Sequence, residues 1–184
     1  NLAFDSKGRL WVSSSLEYPF AAEADAVPRD TISVMEDKDG DGKADVVTVF
    51  ADKLNIPIGL IPYGDGVICF SIPNIWFLHD TDGDGKCDER EILYGPFDTT
   101  RDTHGMCNAF RRGDEGWIYA CHGFNNRSDV AGKDGHRVQM SSGNTFRFRP
   151  DGSRIELYTQ GQVNPFGQSI DRFGDIYTAD CHTK

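Results

Sequence analysis

The sequence predicts an all-β fold, a β-propeller of four-stranded antiparallel blades, and two observations support this prediction. A unit of strand, tight glycine turn and strand occurs at Leu2–Ser13 and again at Ser169–Thr178, with two weaker copies between them. After the first three units comes a second hairpin, giving four strands in roughly 50 residues, the repeat length and strand count of a propeller blade. A β-sandwich is the alternative fold, but it would not explain the repeat.

The repeat divides the chain into blades. The first covers about residues 1–55, the second 56–103 and the third 104–163, and residues 164–184 begin a fourth. The 20 glycines and 8 prolines supply turns, and no segment shows a sustained helical period. About three and a half blades are thus present, whereas closed propellers usually have four to eight. We therefore expect the chain to be one section of a longer protein.

Two aspartate ladders of the same form, Asp37–Asp45 and Asp80–Asp88, occupy turns inside second hairpins. Carboxylates at alternate positions, with glycines that allow a sharp bend, match the ligand spacing of a calcium loop. The flanks are β-branched strands and not the helices of an EF-hand. The predicted ligands are Asp37, Asp39, Asp41, Lys43 and Asp45 in the first loop and Asp80, Asp82, Asp84, Lys86, Asp88 and Glu91 in the second.

The alternative for both ladders is an acidic hairpin turn that binds nothing. Four like charges in one tight turn repel each other unless a cation offsets them, which favours calcium. The third blade has only Pro150–Gly152 at the equivalent place, so such a hairpin can close without a metal. We therefore expect calcium to stabilise particular hairpins and to take no part in catalysis.

The candidate ligand residues lie on the opposite face of the predicted propeller. The first strand of a blade lines the central channel and starts on the face opposite the hairpin turns. Alignment of the blades puts Ile56, His104 and Asn164 at this start, and the two polar residues could reach a ligand in the channel mouth. Arg101 precedes His104, and the long polar segment His122–Gly143 leaves from the same face. A histidine that only satisfies a loop carbonyl is the alternative.

Composition limits the partners and the location. A net charge of −10 disfavours a nucleic acid or an anionic membrane as the partner. No run approaches the roughly 18 apolar residues of a membrane span. The five cysteines lack the spacing of a zinc site or of haem attachment. Loosely spaced calcium loops suit millimolar calcium outside the cytosol, so we expect a periplasmic or extracellular protein.

Four segments carry a resemblance to a known family: His104–Phe110, Gly116–Phe124, Asn144–Gly152 and Asn164–Gly167. They resemble the propeller of the membrane-bound dehydrogenases of planctomycetes and verrucomicrobia, which are similar to soluble quinoprotein glucose/sorbosone dehydrogenases. The resemblance implies a six-bladed propeller that binds pyrroloquinoline quinone over the channel mouth. It also implies that His104 is the general base that takes a sugar hydroxyl proton during hydride transfer, and that Asn164 helps to hold the cofactor.

The chain departs from the quinoproteins at three positions. Val163 and Asn108 stand where they have arginines, and Phe124 stands where they have the carboxylate that supports the histidine. We expect Arg101 and Arg127 to lie around the ligand. The predicted function is a calcium-binding, quinone-dependent dehydrogenase acting on a sugar or polyol, for which the resemblance allows a haem domain elsewhere in the parent protein. The alternative is a non-catalytic propeller that binds carbohydrate or a protein partner through the long polar segment.

Overall fold

A computed structural model describes residues 1–181, and within them the chain is built from antiparallel strands. The prediction of an all-β fold is confirmed. Residues 182–184, at the end of the predicted fourth blade, lie outside the described residues. The strands are β1 (Leu2–Phe4), β2 (Leu10–Ser13), β3 (Asp30–Glu36), β4 (Val46–Leu54), β5 (Gly59–Tyr63), β6 (Gly66–Ser71), β7 (Asn74–His79), β8 (Glu89–Tyr94), β9 (Asn108–Arg112), β10 (Ile118–His122), β11 (Arg127–Ala131), β12 (Arg137–Ser141), β13 (Gly143–Phe148), β14 (Ile155–Gln162), β15 (Pro165–Ile170) and β16 (Ile176–Asp180).

Successive strands pair in three four-stranded sheets, in the orders β1-β2-β3-β4, β5-β6-β7-β8 and β9-β10-β13-β14. This up-and-down order is that of a propeller blade. Strands β15 and β16 form a two-stranded sheet, and β11 and β12 form another that is inserted between β10 and β13 in sequence. A 3-10 turn at Asp114–Gly116 precedes β10. Among residues 1–181, no helical segment has the length and apolarity needed to cross a membrane.

The chain divides into two compact units, of which the first contains residues 1–72 and 76–91. Side chains in β3 alternate between buried and partly buried, as expected for a strand with one face on a core. In that core the rings of Trp11 and Phe50 meet edge to face with centroids 4.8 Å apart, and Leu78 is fully buried. Each large apolar side chain buried in this way stabilises the fold by about 1.5–3 kcal/mol.

The second unit contains residues 73–75 and those from 92 onward. Its core is aromatic, because the ring of Phe148 packs edge to face against both Tyr94 and Phe110, each with centroids 5.4 Å apart. Such pairs add about 0.5–1.5 kcal/mol to the burial of their area. This core lies under the strands that lead to and from His104, so the candidate site is built on a packed sheet.

The repeated turn seen in the sequence has the same hydrogen bonds in its first and last copies. In each copy Oδ1 of an aspartate, Asp5 or Asp171, accepts the backbone N–H groups two and four residues later, at 2.9–3.0 Å. Oδ2 accepts the indole N–H of Trp11 at 3.1 Å in the first copy and the hydroxyl of Tyr177 at 3.3 Å in the last. The glycine three residues after each aspartate has a φ of 79° or 86°, which favours glycine at that position.

The segment His122–Gly143, expected from the sequence to be the longest loop, folds instead as the hairpin β11–β12. Its apolar residues alternate with charged ones, so one face of each strand is buried. The longest irregular stretch of the described residues is residues 14–29, between β2 and β3. The buried positions of the hairpin are Ser128, Val130, Val138 and Met140.

The tip of this hairpin is fixed on the β13–β14 turn. The backbone N–H groups of Lys133 and Asp134 donate to the carbonyls of Gly152 and Ser153 at 2.9 and 3.0 Å. The ammonium group of Lys133 donates to the carbonyl of Asp151 at 2.8 Å. Lys133 and Asp134 at the tip are therefore engaged at this turn, while Asn126, at the base of the hairpin, contacts the segment that carries His104.

Candidate functional site

His104 forms a pair with the carboxylate of Asp102 in the connection between β8 and β9. Its Nδ1 lies 3.1 Å from Asp102 Oδ1, and Asp102 Oδ2 accepts the N–H of Gly105 at 3.0 Å. The side chain of His104 is 54% exposed and that of Asp102 is 15% exposed. A carboxylate at Nδ1 favours the tautomer with the proton on that atom, which makes Nε2 the basic nitrogen. The ring is thus oriented and accessible to a ligand.

The resemblance puts a supporting carboxylate at the position of Phe124, which this chain lacks, and the structure has the carboxylate of Asp102 beside His104 instead. The short spacing from Asp102 to His104, followed by a glycine, was the available signal. The carboxylate can reach forward by two residues only because the chain turns sharply there.

Asn126 holds the segment that carries this pair. Its side-chain oxygen accepts the N–H groups of Arg101 and Asp102 at 3.3 and 3.2 Å. Its side-chain nitrogen donates to the carbonyl of Asp102 at 2.6 Å and to the sulfur of Met106 at 3.3 Å. Asn126 is 1% exposed, and the sequence analysis did not single it out for any role.

Asn164 lies beside Gly105, the neighbour of His104. A Cβ atom placed on Gly105 would come within 2.6 Å of Asn164 Oδ1. The backbone N–H of Asn164 donates to Asp180 at 2.7 Å, and its side-chain nitrogen donates to the sulfur of Cys181 at 3.0 Å. Its Oδ1 is buried and has no hydrogen-bond partner among the described residues. The structure thus brings together the two positions that blade alignment had placed at the same level.

Arg101 and Arg127 are each held by a backbone hydrogen bond, to Asn126 and to Asp98 respectively. The N–H of Arg127 donates to Asp98 Oδ2 at 2.9 Å, and the N–H of Arg101 donates to Asn126, as described above. The hydrogen bond from Arg127 and those from Thr100 lower the pKa of Asp98 to about 2. Both arginines are exposed. The backbones of both residues lie in the segments around the pair, and a role of their guanidinium groups at a ligand stays a prediction.

His122 has a structural role, although it opens the long polar segment. It is 2% exposed, its Nδ1 donates to the carbonyl of Ser142 at 2.8 Å, and its Nε2 accepts from the hydroxyl of Ser128 at 2.8 Å. Burial lowers the pKa of His122, so the ring is neutral. Both ring nitrogens are used inside the protein, which leaves none for a metal or a substrate.

In the first aspartate ladder, the two oxygens of Asp37 accept the N–H groups of Gly40 and Gly42, both at 2.8 Å. The bond from Gly42, followed by that from Gly40, lowers the pKa of Asp37. Carboxylate oxygens of Asp37, Asp39 and Asp45 lie within 4.8 Å of one another. The turn therefore gathers three carboxylates at a spacing that a cation could bridge.

The second ladder repeats this geometry. Asp80 accepts the N–H groups of Gly83 and Gly85 at 2.8 and 3.0 Å, and the carboxylates of Asp80, Asp82 and Asp84 lie within 4.8 Å of one another. Acidic groups on exposed turns also occur without an ion, so calcium stays a prediction at both loops.

The other predicted ligands lie outside these two clusters. Asp41 Oδ2 lies 3.6 Å from the ammonium of Lys43. Lys86 donates its N–H to Asp84 at 2.8 Å, and Asp88 accepts the N–H and hydroxyl of Thr81.

Glu91 was expected to complete the second loop, and the structure places it elsewhere. Its Oε2 lies 3.9 Å from Nε2 of His79, whose Nδ1 lies 3.0 Å from Asp65. Strand β8 carries the Glu91 side chain towards β7, so the helical geometry that lets the twelfth residue of an EF-hand reach its ion is missing.

Comparisons with known proteins give the fold and the family. The structure is similar to that of the gluconolactonase XC5397 of Xanthomonas campestris, with 17% sequence identity and a TM-score of 0.58. The match covers 97% of this chain and 52% of the other, so the chain spans about half the length of that protein. At this identity the likeness shows the fold alone, which is propeller-like.

A comparison with curated proteins found no match, and the membrane-bound dehydrogenase family was not among the findings. Residues 1–184 match the family described as a domain of unknown function, DUF7133, and the chain therefore belongs to that family.

Proposed function

We propose that His104 is the general base of an enzyme that acts on a sugar or polyol, with Asp102 as its supporting carboxylate. The observation that carries this proposal is the 3.1 Å contact between His104 Nδ1 and Asp102 Oδ1, combined with the exposure of the ring. Nε2 of His104 would take a proton from a bound hydroxyl, and the carboxylate would stabilise the imidazolium that forms. General-base catalysis of this kind contributes about 10²–10⁴-fold to the rate.

For the reaction type we propose oxidation, as the dehydrogenase resemblance implies. Pyrroloquinoline quinone, when bound, supplies a hydride acceptor. Arg101 and Arg127 would pair with its carboxylates, and Asn164 would lie against it. The fit is partial, because the unpartnered atom of Asn164 is an oxygen, which takes only donors, and Val163 offers no cation.

A second candidate reaction is hydrolysis of a sugar lactone. The propeller-like fold shared with a gluconolactonase favours it. The same pair would then deprotonate a water molecule, so His104 and Asp102 keep their roles and no quinone is needed. The non-catalytic alternative, a propeller that binds carbohydrate or a protein partner, requires neither residue to be basic.

These alternatives can be separated with purified protein and a panel of sugars, polyols and sugar lactones. Dye reduction that requires the quinone would support oxidation, and lactone opening without it would support hydrolysis. We expect His104→Gln to lower the rate by about 10²–10⁴-fold, and Asp102→Asn to lower it as well. His136→Gln, at the hairpin tip, is the matched control and should retain the rate. Turnover that survives His104→Gln, or sugar binding without any turnover, would overturn the proposal.

We also propose that the ladders Asp37–Asp45 and Asp80–Asp88 are calcium loops, and that the protein is periplasmic or extracellular, where calcium is millimolar. The support is the gathering of three carboxylates in each turn. Calorimetric titration should give two calcium ions per chain. Asp37→Ala and Asp80→Ala should each remove one ion, and Asp151→Ala, in the third hairpin turn, should remove none. An unchanged stoichiometry in both ladder variants would contradict the proposal.

A further inference from the structure

We propose that Asn126 is a positioning residue for the His104–Asp102 pair, an inference that rests on the proposed function above. Asn126 precedes β11 and is separated from Asp102 by 24 positions in the sequence. Its side-chain amide contacts the main chain of Asp102 and the sulfur of Met106. It also accepts the N–H of Arg101, so Asn126 can act on His104 through this segment, in which Asp102 contacts the ring.

The amide of Asn126 holds Asp102 as a neighbouring strand would. A primary amide offers the same acceptor and donor as a peptide group. Its oxygen accepts the N–H of Asp102 at 3.2 Å, and its nitrogen donates to the carbonyl of Asp102 at 2.6 Å. The reversed amide would put oxygen against oxygen and donor against donor, so these contacts also fix the orientation of the group. Both backbone polar groups of Asp102 are thereby held by one side chain.

Asn126 is itself anchored by its own main chain. Its N–H donates to the carbonyl of Phe124 at 2.8 Å, and its carbonyl accepts the N–H of Ser142 at 2.9 Å. These bonds attach it to the base of the hairpin β11–β12. Because Asn126 is 1% exposed, water competes little for its hydrogen bonds, which strengthens them.

The consequence of these contacts is a fixed orientation of the Asp102 carboxylate. With its main chain fixed, Asp102 directs Oδ1 to His104 and Oδ2 to the N–H of Gly105. If the Asp102 carboxylate moves away from Nδ1, the tautomer with the proton on Nδ1 is no longer favoured, and either ring nitrogen of His104 can be the basic one. A misplacement of about 1 Å near a reacting group can cost roughly 100-fold in rate. Asn126 would therefore control the rate without touching the substrate.

The test is ¹⁵N NMR of the His104 ring, which reports the tautomer whether or not a substrate is known. The signal is assigned by its loss in His104→Gln. We expect a proton on Nδ1 in the wild type and a mixture of tautomers in Asn126→Ala. Asn126→Asp keeps the two acceptor contacts and loses the donor to Asp102, so it should also give a mixture. It provides a second measurement if the alanine variant does not fold.

The matched control is Asn144→Ala, which removes another buried amide, one that accepts the N–H of Ser141 at 3.0 Å. It should leave the tautomer of His104 unchanged. If the wild type itself shows no preference for Nδ1, the pair does not operate and the proposed function fails. A mixture of tautomers in Asp102→Ala, with the proton kept on Nδ1 in both Asn126 variants, would support the His104–Asp102 pair and refute the role of Asn126. With an active substrate, Asn126→Ala should lower kcat by roughly 100-fold with little change in KM.

Discussion

Hairpins of the same kind are closed by different means in two parts of the molecule, at the β3–β4 and β7–β8 turns and at the β13–β14 turn. The first two gather carboxylates that accept N–H groups of their own turn. The third has the aspartate Asp151, whose carbonyl receives the ammonium of Lys133 at 2.8 Å. Beside it, Arg154 forms an ion pair with Asp134 at 3.0 Å. At the third turn, positive charge is brought by the chain itself.

If the ladders bind calcium as proposed, the two kinds of turn obtain a cation in different ways. On the calcium proposal, the three clustered carboxylates of each ladder would take a cation from solution, which would offset the repulsion of like charges at short range. The third turn instead receives a lysine from the inserted hairpin β11–β12. Stability at the first two turns should therefore depend on calcium, and stability at the third should depend on Lys133.

The largest expected effect is that of calcium on the first two turns. With free calcium at 100 times its Kd, each site would add about 2.7 kcal/mol to the free energy of unfolding. We expect a chelator to lower the melting temperature of the wild type, and to have no effect on a variant carrying Asp37→Ala and Asp80→Ala together. Differential scanning calorimetry measures both. A wild type whose melting temperature ignores the chelator would remove the stabilising role of these loops.

The second effect tests the third turn. Lys133→Met keeps most of the aliphatic stem and loses the hydrogen bond to Asp151, so it should destabilise the protein by about 1 kcal/mol. The loss should be the same with calcium and with chelator. Urea unfolding in both conditions is the measurement, and Lys7→Met, in the β1–β2 turn, is a control for loss of a surface lysine. A loss that appears only in chelator would mean that this turn also recruits a metal.

The smallest expected effect concerns Asp98, at the base of the hairpin β11–β12. The pKa of Asp98 is about 2, below its ordinary value of 3.8, mainly because it accepts the N–H of Arg127. A depressed carboxyl pKa stabilises the fold above the unfolded pKa, and this contribution is lost as the pH falls from about 4 towards 2. Solvent screening keeps it below about 1 kcal/mol. Asp98→Asn should reduce the fall in the free energy of unfolding between about pH 4 and pH 2. A pH dependence identical to that of the wild type would exclude this role.

Much of the fold could be predicted because each repeat unit is defined by a short stretch of sequence. The Leu2–Ser13 unit contains its own turn aspartate, glycine and strand residues, so local chemistry is enough to define it. The hairpin β11–β12 was missed although Val130, Val138 and Met140 alternate with polar residues. Its many charges resemble those of a loop, and its apolar face is explained only by the sheet on which it packs.

The candidate site was less predictable, because its geometry depends on contacts between distant parts of the chain. His104 and Asn164 could be aligned by position in the repeat. The spacing of Asp102 and His104 gave a signal for their contact, but the hydrogen bonds between Asn126 and Asp102 join residues 24 positions apart and leave no such signal. Glu91 likewise lies near His79, on the adjacent strand, a contact that its spacing from the second ladder does not indicate. Spacing along a sequence identifies the available groups, and the fold decides which of them meet.

The turns at Asp5 and Asp171 have a consequence for protein engineering. Each is a seven-residue cassette in which one carboxylate closes the turn and receives a polar aromatic side chain from the next strand. Since an indole in one copy and a phenol in the other reach the same oxygen, the loop residues 6–8 and 172–174 should be exchangeable between the two turns. Trp11 has to stay, because its ring packs on Phe50 in the core of the first unit. Longer arrays of these sheets could therefore carry either loop as a connector between strands.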